Sequence, residues 1–270
     1  MQRGYLKLMS NDHPQPKAKK KFGQNFLHSD SVIKKIVDII SPEGKQIIEI
    51  GPGTGALTKH LVNKCTKLVA FEIDPDMIKF LNQQNYFNSE NNMLVHDDFL
   101  NANLDQYAYF EVVGNIPYYI TSEIIFKLIE NRFLFKRATL LVQKEVADRI
   151  VAMPNSYEYS KLSITCQYVA KVKKELFVSK NNFSPVPKVD SAIVTFDFYQ
   201  DKNDNYEQLK DFFKLCFSAR RKKLIWSLKQ VYSQEKILNA YSVLNISENI
   251  RIQQLDLETI KQLYAELETK

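Results

Sequence analysis

Apolar side chains at Val32, Ile33, Ile36, Val37 and Ile40 recur at intervals of three and four, with charged residues between them. That spacing predicts an amphipathic helix. Ser29 stands where a cap belongs, and Ser41-Pro42-Glu43-Gly44 stops the pattern. Short runs rich in apolar residues follow at 46–50, 67–71, 93–95, 110–113 and 138–142. The first of them reads as a short strand buried on both faces, and the others as further strands. Helix-like stretches at 57–64, 75–81 and 122–130 lie between them. Strands alternating with helices predict an α/β fold built on a mainly parallel sheet.

The character shifts at Lys171. Val172, the run 175–178 and the strand 192–198 read as hairpin-like, and the polar stretch 201–205 reads as a linker. Beyond it the pattern is helical, at 209–217, 224–231, 237–244 and 255–267. The expected organisation is a basic N-terminal segment (1–28), an α/β domain (29–202) and a small all-α domain (203–270). Internal repeats and low-complexity tracts are absent.

Composition changes this picture little. The 270 residues are 44% hydrophobic and 25% charged, an ordinary globular balance. A net charge of +6 points to a polyanionic partner only where it is clustered. Two clusters stand out, Lys17-x-Lys19-Lys20-Lys21 and Arg220-Arg221-Lys222-Lys223. No apolar run approaches the roughly 20 residues that span a bilayer. The N-terminus lacks the apolar core of a secretory signal, so a cytoplasmic protein with no membrane partner is expected. Cys65, Cys166 and Cys216 lie far apart and read as buried thiols. His13, His28, His60 and His96 lack metal-ligand spacing, and no metal is expected.

Candidate chemistry sits where strands end. Gly51-Pro52-Gly53-Thr54-Gly55-Ala56, after one strand and before a helix, is a turn that lets a ligand approach the backbone closely. Gly51, Gly53 and Ala56 also satisfy the dinucleotide pattern, with Glu72 about twenty residues on to accept ribose hydroxyls. Nicotinamide and S-adenosyl-L-methionine enzymes share this much. Asp97 ends the third strand, where a carboxylate can accept from the exocyclic amine of an adenine. No phosphate-binding lysine loop is present. Asn115-Ile116-Pro117-Tyr118-Tyr119 follows the fourth strand. Asn supplies an acceptor and a donor, Pro stiffens the turn, and the aromatic can lie flat on a nucleobase. By itself such a loop is also an ordinary turn.

Taken together, Phe22-Gly-Gln-Asn-Phe-Leu27, Glu49-Ile-Gly-Pro-Gly-Thr-Gly55, Glu72-Ile-Asp74, Asn115-Ile-Pro-Tyr-Tyr119, Val142-Gln-Lys-Glu-Val-Ala147 and Phe183-Ser-Pro-Val-Pro-Lys-Val-Asp-Ser191 run in order over residues 17–200. The chain resembles the ribosomal RNA adenine dimethyltransferases, and within them the small-subunit type. The resemblance implies a class I, Rossmann-like methyltransferase fold. Its seven-stranded sheet would carry one antiparallel strand, with helices at the C-terminus. It implies S-adenosyl-L-methionine as cofactor and N6-dimethylation of two adjacent adenosines in the 3′-terminal hairpin loop of small-subunit (16S) rRNA. A monomer acting on the assembling 30S particle during ribosome biogenesis is expected.

Carried over by position, Asn25, Leu27, Gly51, Gly53, Glu72, Asp97 and Asn115 would hold the cofactor. The Asn115 side-chain oxygen and the Pro117 carbonyl would accept the two N6 hydrogens, and Tyr118 would stack on the base. Phe183 would offer a second aromatic face. Lys19, Lys20, Arg220, Arg221 and Lys222 would meet RNA phosphates. Lys144, Glu145 and Arg149 match the family but read equally as surface ion pairs. Tyr119 departs from the Asn that many small-subunit members carry. The rival readings are a large-subunit methylase of the macrolide-resistance type, a non-catalytic assembly or transcription factor on the same fold, and a nicotinamide oxidoreductase.

Overall fold

The computed structural model describes residues 16–202 and 204–269. The first fifteen residues of the expected N-terminal segment lie outside the described residues. A strap carrying β1 (Phe26–Leu27) leads into α1 (Asp30–Ile40), β2 (Gln46–Ile50), α2 (Thr58–Leu61), β3 (Lys67–Glu72), α3 (Pro75–Gln83), β4 (Asn92–His96) and β5 (Phe110–Asn115). Next come α4 (Thr121–Glu130), β6 (Phe135–Gln143), α5 (Lys144–Ile150), α6 (Lys161–Val169), β7 (Ala170–Val178), β8 (Phe183–Ser184) and β9 (Ser191–Phe198). The chain ends in α7 (Tyr206–Cys216), α8 (Leu224–Leu228), α9 (Gln234–Val243) and α10 (Leu257–Glu268).

Seven strands form one sheet in the order β4-β3-β2-β5-β6-β9-β7. Only β9 runs against its neighbours, antiparallel to both β6 and β7, and the remaining pairs are parallel. The single inverted strand is the one the resemblance implies. Strand order reverses between β2 and β5, and open α/β sheets bind ligands in the crevice outside the carboxyl ends at such a point. Gly114 keeps that crevice narrow. A Cβ there would lie 2.8 Å from the Ile50 carbonyl oxygen of the adjacent strand, so only glycine permits this spacing.

Local structure follows side-chain pattern. α1 buries Ile33, Ile36, Val37 and Ile40. The Ser29 hydroxyl meets Ser31 Oγ at 3.2 Å rather than a backbone N–H, so the expected side-chain cap is not made. α3 has the cap that α1 lacks, with Asp76 N donating to Asp74 Oδ1 at 3.0 Å and Pro75 at its start. Cys166 and Cys216 are buried, Cys65 is half-buried, and all three are free thiols.

The helices after residue 205 share a second hydrophobic cluster, with Phe212, Phe213, Leu228, Tyr241 and Leu263 among its members, and α6 adds Ile164 to it. Arg132 fastens this cluster to the sheet. Its buried guanidinium donates to Asp204 through Nη2 at 2.7 Å and Nε at 3.0 Å, and it lies 4.8 Å from the Tyr206 ring centroid. Among the described residues no helix is long and apolar enough to cross a membrane.

Candidate active site

The carboxyl ends of β2, β3, β4 and β5 open into one cleft enclosing about 1050 Å³, part of it open to solvent. Asn25, Leu27, Gly51, Gly53, Glu72, Asp97, Asn115, Pro117 and Tyr118 all line it. The glycine turn and the Asn115 loop therefore face one opening, although Gly51 and Asn115 are 64 positions apart in the chain.

The glycine turn is shaped by backbone conformation. Gly51 and Gly53 sit at φ 64° and 57°, where a side chain is strained, and a Cβ on Gly53 would press within 3.2 Å of the Phe26 ring. Glu72 locks the turn to the end of β3. Its Oε2 accepts from Gly53 N at 3.1 Å and its Oε1 from Asp74 N at 2.8 Å. The carboxyl is 4% exposed, and burial holds its pKa above the ordinary carboxylate range. Asp97 is exposed at the cleft edge, with Oδ1 accepting from Asp98 N at 2.8 Å.

Four carboxyl side chains line the cleft, from Glu49, Glu72, Asp97 and Asp98, with no lysine or arginine among the lining residues. Such a field favours a cationic cofactor over one carrying a pyrophosphate. With glycines for close backbone approach, two carboxylates at strand ends for hydroxyl and amine donors, and the apolar Ile73 and Phe99 in the wall, the residues fit S-adenosyl-L-methionine. Replacing Glu72 by glutamine should raise the Kd for S-adenosyl-L-methionine about tenfold. The amide would turn one acceptor into a donor against a backbone N–H. Titration calorimetry checks this, and an unchanged Kd would remove Glu72 from the cofactor site.

The strap closes over this cleft through contacts the sequence did not announce. Lys19 Nζ lies 2.6 Å from Asp74 Oδ1 and 2.5 Å from Asp76 Oδ2. Gln24 Nε2 donates to Asp74 Oδ2 at 2.9 Å, and Asn115 Nδ2 donates to the Asn25 carbonyl at 2.9 Å. The Tyr119 ring lies on Gly23, where a Cβ would come within 3.0 Å of it. The departure at position 119 thus packs the Asn115 loop against the strap. Ser191 is a further residue the sequence reading missed, with its hydroxyl 2.8 Å from the Tyr118 hydroxyl. Burial pushes the Tyr118 phenol pKa up, so it stays neutral.

Three expectations are corrected. Lys19 is committed to Asp74 and Asp76, so its charge is not free for a phosphate. Phe183 is 1% exposed and sits in the core beside Leu27, its partner across the β1–β8 pair, so it has no face to offer a base. The Pro117 carbonyl already accepts from Ile120 N and Thr121 Oγ, each at 3.2 Å, which uses both lone pairs. Ile116, one residue nearer Asn115, also lines the cleft, and among the described residues no protein donor reaches its carbonyl. Arg220 is partly engaged as well, with Nη1 donating to the Tyr157 and Tyr159 carbonyls at 3.0 and 2.9 Å. Lys20, Arg221 and Lys222 are exposed.

Comparison with known proteins agrees with this geometry. Residues 15–269 match the family model described as "Ribosomal RNA adenine dimethylase". "Ribosomal RNA small subunit methyltransferase A" of Mycoplasmopsis pulmonis (strain UAB CTIP) is 47% identical, over 93% of this chain and 99% of the relative. The protein of the same name from Mycoplasmopsis synoviae (strain 53) is 46% identical, over 95% of this chain and 99% of the relative. Among solved structures, a dimethyladenosine transferase from Plasmodium falciparum superposes with TM-score 0.79 at 29% identity, covering 89% of this chain and 96% of that one. The 23S rRNA methyltransferase ErmE superposes with TM-score 0.72 at 26% identity, covering 91% of this chain and 100% of that one. With a match spanning nearly its whole length, the chain belongs to the ribosomal RNA adenine dimethylase family.

Proposed function

We propose that the protein is an S-adenosyl-L-methionine-dependent enzyme that dimethylates the N6 amine of two adjacent adenosines in the 3′-terminal hairpin loop of 16S rRNA. It would act as a monomer in the cytoplasm on the assembling small subunit. The observation that carries this reading is the shared cleft, in which Asn115 and Tyr118 face the glycine turn, Glu72 and Asp97. The near-full-length likeness to small-subunit methyltransferases, at 47% identity, supports the small-subunit RNA over the large-subunit one.

S-adenosyl-L-methionine, when bound, supplies an electrophilic methyl group on a positively charged sulfur. Glu72 would hold its ribose, Asp97 its adenine and the Gly51–Gly53 backbone its remaining polar groups. The adenine N6 lone pair is delocalised into its ring and is a poor nucleophile, so the task of the protein is to localise and aim it. Asn115 Nδ2 is tied to the strap, which turns Oδ1 toward the cleft as an acceptor for one N6 hydrogen. The Ile116 carbonyl is the second acceptor we assign, in place of the engaged Pro117 carbonyl. The displaced proton passes to water, and no general base is needed. Catalysis is then chiefly orientation, which can supply several orders of magnitude.

Tyr118 would stack on a base that has left its helix, and its 2.8 Å hydroxyl contact with Ser191, which would fix the ring plane, supports that role. Stacking of this kind is worth about 1–3 kcal/mol. Tyr118→Ala should accordingly cut turnover roughly ten- to a hundredfold while leaving the cofactor Kd near wild type. Turnover equal to wild type would refute the stacking role. The reading as a whole is tested by radiolabelled methyl transfer to undermethylated small subunits. Label in large subunits, or in neither, would overturn it.

Arg221 and Lys222, exposed in the turn that precedes α8, and Lys20, exposed on the strap, form the basic surface we assign to RNA phosphates. On this reading the chain divides into a strap up to residue 28, a sheet unit over 29–202 and a helical tail from 203.

A further inference from the structure

We propose that a second cavity, beside the catalytic loop and separate from the cofactor cleft, holds a phosphodiester of the substrate RNA next to the target adenosine. It encloses about 590 Å³, and Ser122, Phe126, Arg149, Lys161, Phe217 and Arg220 are among the residues lining it. The inference rests on the adenosine-methylating reading of the main cleft and adds to it a discrete anchoring site.

Charge is the first reason. Arg149, Lys161 and Arg220 converge on the cavity, no carboxylate lines it, and none of the three makes an ion pair among the described residues. Neighbouring cations behave differently. Lys144 and Lys174 both pair with Asp148, at 2.6 and 2.5 Å, and Arg132 pairs with Asp204 at 2.7 Å. Three half-buried like charges facing one space repel one another, and a bound anion relieves that repulsion.

The second reason is that the cations are held in place. Ser163 Oγ donates to the Arg149 carbonyl at 2.5 Å and accepts from Ser160 N at 2.9 Å, which pins the end of α5 to the start of α6. Arg220 is anchored by one guanidinium nitrogen on the Tyr157 and Tyr159 carbonyls. Its other nitrogens remain as donors for a phosphate oxygen. A guanidinium presents several donors in a fixed fork, the geometry that suits phosphate.

Aromatic rings alternate with these cations. Lys161 Nζ lies 5.4 Å from the Phe126 ring centroid, and the Arg220 guanidinium lies 5.6 Å from that of Tyr157, whose ring is 85% exposed. Basic groups interleaved with open aromatic faces are the pattern of single-stranded nucleic-acid grooves. Ser122 sets the distance to the chemistry. It lies in the first turn of α4, four residues after Tyr118, and its exposed hydroxyl has no protein partner among the described residues. Helical residues advance only about 1.5–2 Å each, which keeps the cavity within the reach of one nucleotide.

The test uses the full-length protein, S-adenosyl-L-methionine and a hairpin-loop RNA. Arg149→Gln and Lys161→Gln should each raise the KM for RNA about three- to tenfold, with kcat at saturating RNA and the cofactor Kd unchanged. The slope of log Kd against log salt should shrink by roughly 0.7–0.9 for each charge removed. Ser122→Asp places a carboxylate in a first helical turn, where it does not disturb folding, and should weaken RNA binding at least as much. A methylphosphonate walked along the RNA should find one linkage whose neutralisation weakens wild type but not the Arg149→Gln/Lys161→Gln double variant.

Wild-type KM and salt slope in all three single variants would overturn the proposal. It would also fall if inorganic phosphate protected the protein against heat while no single linkage mattered, because the cavity would then take free phosphate. Absence of methyl transfer by the wild type would instead refute the reading of the main cleft, so the two failures are distinguishable.

Discussion

Asn115→Ala is expected to lower kcat for methyl transfer by about 10²–10³, the cost of losing one preorganised polar contact at a reacting centre, or about 3–4 kcal/mol. Two functions leave together. The side-chain oxygen no longer orients the target amine, and Nδ2 no longer holds the Asn25 carbonyl at 2.9 Å. Asn115→Asp separates them. A carboxylate keeps an acceptor in the cleft, but its second oxygen meets the Asn25 carbonyl with no hydrogen to share. The aspartate variant should therefore bind cofactor worse than wild type through a loosened strap, while retaining more turnover at saturating cofactor than the alanine variant. Single-turnover rates and cofactor titrations on the same preparations resolve the two effects. Equal kcat values for the alanine variant and wild type would refute the assignment of Asn115 to the amine.

Glu49 gives the second large effect, and it is one of pH. Its carboxyl is 2% exposed and receives a 2.7 Å hydrogen bond from Thr58 Oγ. Burial pushes its pKa from 4.5 up to about 7, with the nearby Glu72 charge adding to the rise. The folded protein thus holds this proton more tightly than the unfolded chain does. The stability it confers is complete below about pH 4.5 and is lost as pH climbs to about 7. The loss amounts to roughly 3 kcal/mol at the upper end. Glu49→Gln keeps an acceptor for Thr58 and never ionises. It should match wild type in urea unfolding at pH 4.5 and exceed it by roughly 3 kcal/mol at pH 8. The same gap at both values would show that Glu49 does not titrate in this range.

The gain should carry a functional penalty. A negative Glu49 in the cleft wall favours a cationic cofactor, so cofactor affinity in the wild type should rise with pH across 7 and stay flat in Glu49→Gln. Binding proteins commonly hold such groups at the expense of stability.

The sheet strands from β2 to β6 and β9 were legible because each carries an uninterrupted apolar core bounded by turn or cap residues. β7 was read only as part of a hairpin, since as an edge strand it alternates lysines with apolar residues through Lys171-Val172-Lys173-Lys174. α6 escaped notice for the opposite reason. Leu162, Ser163, Ile164, Thr165, Cys166 and Val169 are all buried, because the helix is wedged between the sheet and the C-terminal cluster and shows no polar face. Of the proposed cofactor and catalytic residues, Gly51, Glu72, Asp97 and Asn115 were readable because each sits at the carboxyl end of a strand, where position and chemistry agree. Lys19 and Phe183 were misjudged because their roles depend on where the strap lies. A two-residue β1–β8 pairing leaves no periodicity to detect.

The inverted strand also dictates when the molecule can be completed during synthesis. Until Phe198 has emerged, β6 is a bare sheet margin and β7 has no neighbour to dock on, because β9 alone joins them. The strap is equally dependent on late chain, for Phe26 and Leu27 wait on Phe183 and Ser184. Long-range pairings of this kind are slow to form and leave an adhesive strand exposed meanwhile. A nascent chain halted before residue 183, lacking both β8 and β9, should therefore be prone to aggregate and unable to retain its cofactor, although its glycine turn and Asn115 loop have both been made.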